Sequence, residues 1–244
     1  MTHSGCCIEV NGETLVPDHS GAVWWPAEKT LVFADLHFEK GSAYAKGGQL
    51  LPPYDTRATI KRVEAVLERF RPARVIALGD SFHDGGAGER LDSVECAGLK
   101  ALTARCEWLW VEGNHDPEPP SWLGGSVTRE AAIGGLLFRH RPHTGACKGE
   151  VAGHLHPATT VSRRGMRVRR RCFVSDGTRL ILPAFGAYTG DLDVREAAIA
   201  SLFEDGFAVY ALGRERVYAV GGAAFTRLSS RQAARKRCAG RDPQ

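Results

Sequence analysis

The chain has 244 residues, of which 43% are hydrophobic and 25% charged, and its formal net charge is +4. This composition excludes a disordered or fibrous protein, and the length favours one folded domain. No apolar run reaches the ~18 residues that a membrane-spanning helix needs, so no membrane association is predicted. The first residues contain neither a basic nor an apolar leader segment, which predicts a cytoplasmic protein.

The predicted secondary structure mixes strands and helices along the whole chain. Short strands separated by turn signals begin it, and apolar residues spaced three or four apart then predict a helix over 55–70, which Pro72 ends. The predicted strands are 8–10, 22–25, 30–34, 74–78, 108–111, 136–138, 151–152, 172–174, 180–182, 207–211 and 217–220, and further helices are predicted over 89–104 and near 194–203. Two sheets flanked by helices account for this mixture. We predict one domain over 1–226 and a flexible basic tail over 227–244.

Residue types that bind metals follow the predicted strands directly. They are Asp35 and His37, then Asp80, then Asn114, His115 and Asp116, then His140, and finally His154 and His156. Because the carboxyl ends of neighbouring strands converge on one crevice, these side chains are expected to lie together. In Asp-x-His and His-x-His the spacing of two directs both side chains of an extended segment to the same face.

This set of residues suits the hydrolysis of phosphate esters. Two cations ~3.5 to 4 Å apart activate water, neutralise the phosphoryl oxygens and stabilise the leaving oxygen. Mixed imidazole and carboxylate ligands suit Mn, Fe or Zn better than an all-oxygen magnesium site does. Each motif alone is weak, since Gly79-Asp80 is also a common turn pair, but chance does not readily explain all five in this order. The sequence therefore predicts a two-metal phosphoesterase.

The order Asp-x-His, Gly-Asp, Gly-Asn-His-Asp, His and Gly-His-x-His resembles that of the calcineurin-like metallophosphoesterases. The resemblance implies a four-layer α/β/β/α sandwich. It also implies that His115, hydrogen-bonded to Asp116, protonates the leaving oxygen or stabilises the charged phosphoryl group. One implied metal site consists of Asp35, His37, Asp80 and His156, and the other of Asp80, Asn114, His140 and His154, with Asp80 as the bridge.

A narrower resemblance covers residues 34–41, 51–56, 79–84 and 183–190, which are similar to the bacterial ligase-associated DNA damage response endonucleases. It implies a manganese-dependent enzyme of DNA repair that acts on DNA. We therefore predict a DNA endonuclease that cleaves single-stranded or flapped ends. It also implies a functional association with a DNA ligase, an exonuclease and a helicase. The chain departs from this group at Asp191, where the group has Gly, and in having no proline before Cys172.

Two further features point to the substrate. His83 lies three residues after Asp80 and is a candidate contact for a nonbridging phosphate oxygen, although it could also be a surface histidine without a role. Arg167, Arg169 and Arg170 belong to a basic cluster that follows the His154-x-His156 motif. They are candidate DNA-binding residues, with solvated surface as the alternative.

Two other functions remain open at this point. The same superfold hosts enzymes that hydrolyse small nucleotides or lipid-linked pyrophosphates, and the basic clusters argue mildly against that chemistry. A non-catalytic scaffold of the same fold is the other alternative. The intact His115 argues against a scaffold.

Overall fold

The computed structural model describes residues 6–49, 51–52, 54–163 and 165–220, so the predicted tail 227–244 lies outside it. Strands of the first half are β1 (Ile8–Val10), β2 (Glu13–Pro17), β3 (Val23–Trp25), β4 (Thr30–Ala34), β5 (Arg74–Leu78), β6 (Glu107–Val111) and β7 (Ser126–Thr128). Strands of the second half are β8 (Glu130–Ile133), β9 (Leu136–Arg139), β10 (Glu150–Ala152), β11 (Pro157–Arg163), β12 (Met166–Ser175), β13 (Arg179–Ile181), β14 (Leu192–Asp193), β15 (Ala208–Leu212) and β16 (Val217–Val220). The helices are α1 (Lys40–Lys46), α2 (Asp55–Phe70), α3 (Ala87–Arg90), α4 (Ser93–Thr103) and α5 (Ala197–Ala200), with a 3₁₀ turn at Ser121–Leu123.

The first sheet contains β1 to β7 in sequence order. Its central strands β4, β5 and β6 are parallel neighbours, and their register aligns Ala34 with Leu78 and Leu78 with Val111. All five residues of β4 are buried, as expected for a strand that is covered on both faces. The loops after these three strands therefore leave the sheet side by side.

The second sheet runs in the order β14-β11-β12-β13-β10-β9-β8, and β15 and β16 extend it from β12. Here β9 and β10 are parallel, and their register places Arg139 opposite Ala152. The loops after β9 and β10 thus also emerge next to each other, at one edge of the second sheet.

Three buried clusters separate four layers of secondary structure. The first packs α2 and α4 on the outer face of the first sheet, the second lies between the two sheets, and the third packs the region of α5 on the outer face of the second sheet. Alternation along β4 illustrates the arrangement, since Phe33 lies in the first cluster and Val32 in the second. The predicted α/β/β/α sandwich is confirmed. Within the described ranges, no helix combines the length and apolar character needed to cross a membrane.

Helix α2 has the predicted bounds, but the predicted helix over 89–104 is wrong as a single element. The Asp92 side chain accepts hydrogen bonds from the amides of Val94 and Glu95, and the Glu95 side chain accepts one from the Asp92 amide. This capping box starts a new helix, so the segment divides into α3 and α4. The predicted helix near 194–203 is shortened to α5, because the Glu196 backbone is extended and residues 201–202 form a turn.

Candidate metal centre

Three loops of the first sheet bring candidate ligands to one edge. Asp35 and His37 follow β4, Asp80 follows β5, and Asn114 follows β6. The first two loops are joined by backbone hydrogen bonds, since the His37 amide donates to the Asp80 carbonyl at 2.9 Å and the Phe38 amide to the Ser81 carbonyl at 2.8 Å. The relative position of the Asp35 and Asp80 segments therefore depends on main-chain bonds and not on flexible side chains.

Two loops of the second sheet supply the remaining candidates. His140 follows β9, whereas His154 and His156 follow β10. The amide of His154 donates to Asp35 Oδ2 at 2.9 Å, which joins the second sheet to the first directly at the site. All seven predicted ligands thus converge where the strand ends of the two sheets meet.

One cluster consists of Asp35, His37 and His156, whose ligand atoms lie within 4.8 Å of one another. Asp35 Oδ1 and His156 Nε2 are 3.3 Å apart. These two atoms and both ring nitrogens of His37 are buried without a hydrogen-bond partner among the described residues. Buried polar atoms without partners are costly, and a bound cation would satisfy them. Burial lowers the pKa of His37 to about 3, so its ring is neutral and offers a lone pair.

The other cluster consists of Asp80, His140 and His154, again with ligand atoms within 4.8 Å. His140 Nδ1 lies 3.0 Å from the Leu78 carbonyl, which can only accept, so Nδ1 donates and Nε2 is directed to the cleft. His140 Nε2 is 3.0 Å from Asn114 Oδ1, 3.1 Å from His154 Nδ1 and 3.3 Å from Asp80 Oδ2. Four ligand-type atoms therefore meet at one point.

The Asp80 carboxylate lies between the two clusters. Its Oδ2 is 3.3 Å from His140 Nε2 and 4.0 Å from His37 Nε2, while its Oδ1 accepts the His115 amide at 2.9 Å. Burial opposes ionisation, but the hydrogen bond and charge of His140 outweigh burial and hold the pKa of Asp80 well below its usual range. The ionised carboxylate is thus positioned to face two cations. The two clusters together support a dinuclear site for divalent metals.

The backbone at the candidate ligands is strained. Positive φ angles occur at Asp35 (54°), His37 (45°), Asp80 (45°), His154 (68°) and His156 (45°), a region that non-glycine residues rarely adopt. Such strain persists only where the surroundings enforce it, and it is concentrated at functional sites. Gly113 is part of those surroundings, because a Cβ there would lie 2.1 Å from the Asp80 amide nitrogen. The Asp80 and Asn114 loops are therefore packed too closely for any side chain at Gly113.

The side chains of His115 and Asp116 differ in exposure and in their contacts. The His115 side chain is 43% exposed and its Nε2 lies 4.0 Å from Asp80 Oδ2. Asp116 is buried, and its Oδ2 accepts the amides of Ser81 and Phe82 at 2.8 and 3.0 Å. The hydrogen bond between His115 and Asp116 that the resemblance implies is therefore wrong. Within the described residues, the Asp116 carboxylate instead accepts hydrogen bonds from the backbone of the Asp80 loop.

The arginine cluster lies on the β11–β12 hairpin, which starts directly after His156. Arg169 forms ion pairs with Asp191 at 2.6 Å and Asp193 at 3.2 Å, so its charge is already neutralised. Arg167 and Arg170 are exposed, and strand alternation puts them on opposite faces of the hairpin. Arg167 lies opposite Ser162 in the hairpin. Ser162 is roughly 20 Å along the strand from His156, at a rise of about 3.3 Å per residue. The three arginines do not form one continuous patch.

His83 and Lys40 line a cleft of about 370 Å³ together with His37 and His156 of one cluster and Asp80 and His154 of the other. The ring of His83 stacks on that of His115 with centroids 5.2 Å apart. Lys40 was not among the predicted site residues. Lys40 reaches the cleft because it begins α1, a short helix that the hydrophobic pattern does not predict.

Comparisons with known proteins agree with this architecture. A family model described as calcineurin-like phosphoesterase matches residues 28–159. Among solved structures, the chain is similar to the crystal structure of the Pseudomonas putida nuclease MPE, with 29% sequence identity and a TM-score of 0.69. That match covers 88% of this chain and 99% of the nuclease chain. None of the curated proteins shows significant sequence similarity to the chain.

Proposed function

Since this chain belongs to the calcineurin-like phosphoesterase family and is a metal-dependent phosphoesterase, we propose that it is a phosphodiesterase that cleaves DNA. The observation that carries the proposal is the position of Asp80, whose Oδ2 faces His37 of one cluster and His140 of the other. A carboxylate shared by two cations is the arrangement that hydrolysis of an anionic diester needs.

The residues present fit two metal ions. Asp35, His37, Asp80 and His156 would hold one, and Asp80, Asn114, His140 and His154 the other. When bound, the two ions supply a nucleophile at neutral pH and neutralise charge on the phosphoryl oxygens. Each set combines two imidazole nitrogens with two oxygens, and no thiolate takes part in the described clusters, which suits Mn, Fe or Zn. The resemblance to manganese-dependent endonucleases favours Mn among the three.

Three side chains that are not metal ligands contribute to the reaction. His115 projects into the cleft from the turn that also carries Asn114, and its Nε2–H donates to the leaving oxygen or to the charged phosphoryl group. His83, stacked on His115, donates to a nonbridging oxygen. Asp116 acts on the site through the backbone, because its carboxylate holds the two amides that follow Asp80.

A nucleic-acid substrate is supported by the similarity to a nuclease over nearly the whole of that nuclease's chain. The resemblance to ligase-associated endonucleases extends the proposal to DNA repair, in association with a ligase, an exonuclease and a helicase. Single-stranded or flapped DNA is the proposed form of the substrate, since an unpaired strand can bend to bring a phosphate into the cleft, whereas a duplex is stiff.

The direct test is a metal-dependent cleavage assay with the full chain. Single-stranded DNA, duplex DNA and a nucleotide-linked pyrophosphate are incubated with the protein before chelation, after chelation, and after Mn²⁺, Zn²⁺, Fe²⁺ or Mg²⁺ is restored. We expect single-stranded DNA to be cleaved, cleavage to stop on chelation, and Mn²⁺ to restore it best. Hydrolysis of the pyrophosphate with the DNA left intact would instead favour a small-nucleotide or lipid-linked pyrophosphate hydrolase.

The arginines of the hairpin give a second prediction. Replacing Arg167 or Arg170 by Ala should flatten the dependence of log affinity on log salt by about 0.7 for each phosphate that the variant no longer binds. Arg169→Ala is the matched comparison, because its charge is already paired with Asp191 and Asp193, and it should change the slope less. Affinity is measured with a labelled single strand in chelator, so that no cleavage occurs.

The two single variants also separate the faces of the hairpin. If only Arg167→Ala flattens the salt dependence, the DNA strand lies on the face of the hairpin that carries Asp191. If only Arg170→Ala does so, the DNA strand lies on the other face. Unchanged slopes in both variants would show that these arginines are solvated surface.

A further inference from the structure

A line of aromatic rings leads from the metal centre to the surface. The rings of His115 and His83 are stacked with centroids 5.2 Å apart and an angle of 16° between their planes. The ring of Tyr44 follows, 5.8 Å from His83 and inclined by 39°. His115 and His83 line the cleft, so Tyr44 lies one ring beyond its lining.

The surroundings of Tyr44 indicate that its ring is not part of the core. It belongs to none of the three buried clusters of the described residues, and the residue is 37% exposed. Lys40, one helical turn earlier on α1, places its ammonium 5.7 Å from the centre of the Tyr44 ring and also lines the cleft. An exposed aromatic ring beside a cation, at the edge of a phosphate-binding site, is the combination that binds single-stranded nucleic acids.

We propose that Tyr44 stacks on an unpaired nucleobase next to the scissile phosphate. The inference rests on the proposed function and adds a base-recognition site to it. A base inside a duplex has both faces covered by its neighbours, whereas an unpaired base offers a free face to the ring. Tyr44 thereby selects unpaired strands without selecting a sequence, because every base has a π-face.

The test is analogous to a double-mutant cycle, in which one change removes the Tyr44 ring and the other removes the base from the substrate. The substrate is a strand of five thymidines in which one linkage is a phosphodiester and the others are methylphosphonates, so that one bond is cleavable. Analogues lack the base on one side or the other of that bond. Cleavage by the full chain with Mn²⁺ is measured as kcat/KM for wild type, Tyr44→Ala and Tyr44→Phe.

For one of the two analogues, removal of the base should lower kcat/KM of the wild type by roughly 5- to 150-fold, the range that base–aromatic stacking gives. Tyr44→Ala should lower kcat/KM by a similar factor on the intact strand. On that analogue it should cause no further decrease, because the stacked pair is already absent. Tyr44→Phe should keep most of the activity, since the ring remains. Tyr218→Ala removes an exposed tyrosine of β16, outside the cleft, and should behave as wild type.

Two results would overturn the inference while leaving the phosphodiesterase intact. One is a Tyr44→Ala protein that cleaves the intact strand as fast as wild type. The other is a pair of losses that multiply, which would show that the ring and the base act independently. Failure of the wild type to cleave any strand with any metal would instead contradict the proposed function itself.

Discussion

Asp80→Asn is expected to abolish phosphodiester hydrolysis, with a loss greater than about 10³-fold, because several kcal/mol of transition-state stabilisation depend on the cations that this carboxylate holds together. Asparagine keeps the size of the side chain and can still accept the His115 amide through Oδ1. It removes the negative charge that Oδ2 presents to His37 and His140. Bound metal per chain, measured by elemental analysis, should fall together with turnover of a nitrophenyl diester.

The comparison for this variant is Asp205→Asn, which makes the same chemical change at an exposed carboxylate outside the cleft. It should retain both metal and activity. An Asp80→Asn protein that is folded, carries two metals and hydrolyses the diester at the wild-type rate would refute the bridging assignment.

His115→Ala should keep the metals but lower activity by ~10² to 10⁴, which is the usual contribution of a general acid or of a donor to the charged transition state. The ring of His115 is not a member of either ligand cluster, and its side chain is 43% exposed. The loss should be smaller for a nitrophenyl ester than for a nucleoside ester, because a good leaving group needs no proton. Steady-state rates on both esters, together with bound metal, provide the measurement.

His19→Ala serves as the matched variant, since it removes a half-buried histidine outside the cleft. Equal losses on the two esters would show that His115 stabilises charge on the phosphoryl group rather than protonating the leaving oxygen. A loss of metal in His115→Ala would place the residue among the ligands and contradict its proposed role.

The elements that sequence reasoning predicted well are those in which burial dictates the pattern. Helix α2 has a single apolar stripe, and β4 and β5 are short apolar runs in the core of the sandwich. The β11–β12 hairpin was missed over most of its length because the run of arginines at 169–171 interrupts the apolar alternation that Met166 and Val168 begin. Helix α1 was missed for a related reason, since Gly41 is its one buried residue.

At the site, the sequence indicated which side chains meet but not how their neighbours are connected. Convergence of the candidate ligands follows from strands whose ends are aligned, which is a property of the whole fold. The contact of Asp116 depends on the local path of one turn, and no pattern in the sequence encodes it. Lys40 and Tyr44 were not predicted as site residues, because they reach the site only through the position of α1 beside His83.

The division of the candidate ligands between two sheets has a consequence for synthesis of the protein. Asp35, His37, Asp80 and Asn114 leave the ribosome first, while the imidazoles of His140, His154 and His156 emerge only later. Until then, the carboxylates lack the nitrogen donors that complete both clusters. On the proposed ligand assignment, the growing chain cannot complete its dinuclear centre from the first sheet alone, and we expect both metals to bind only after residue 156 has left the ribosome.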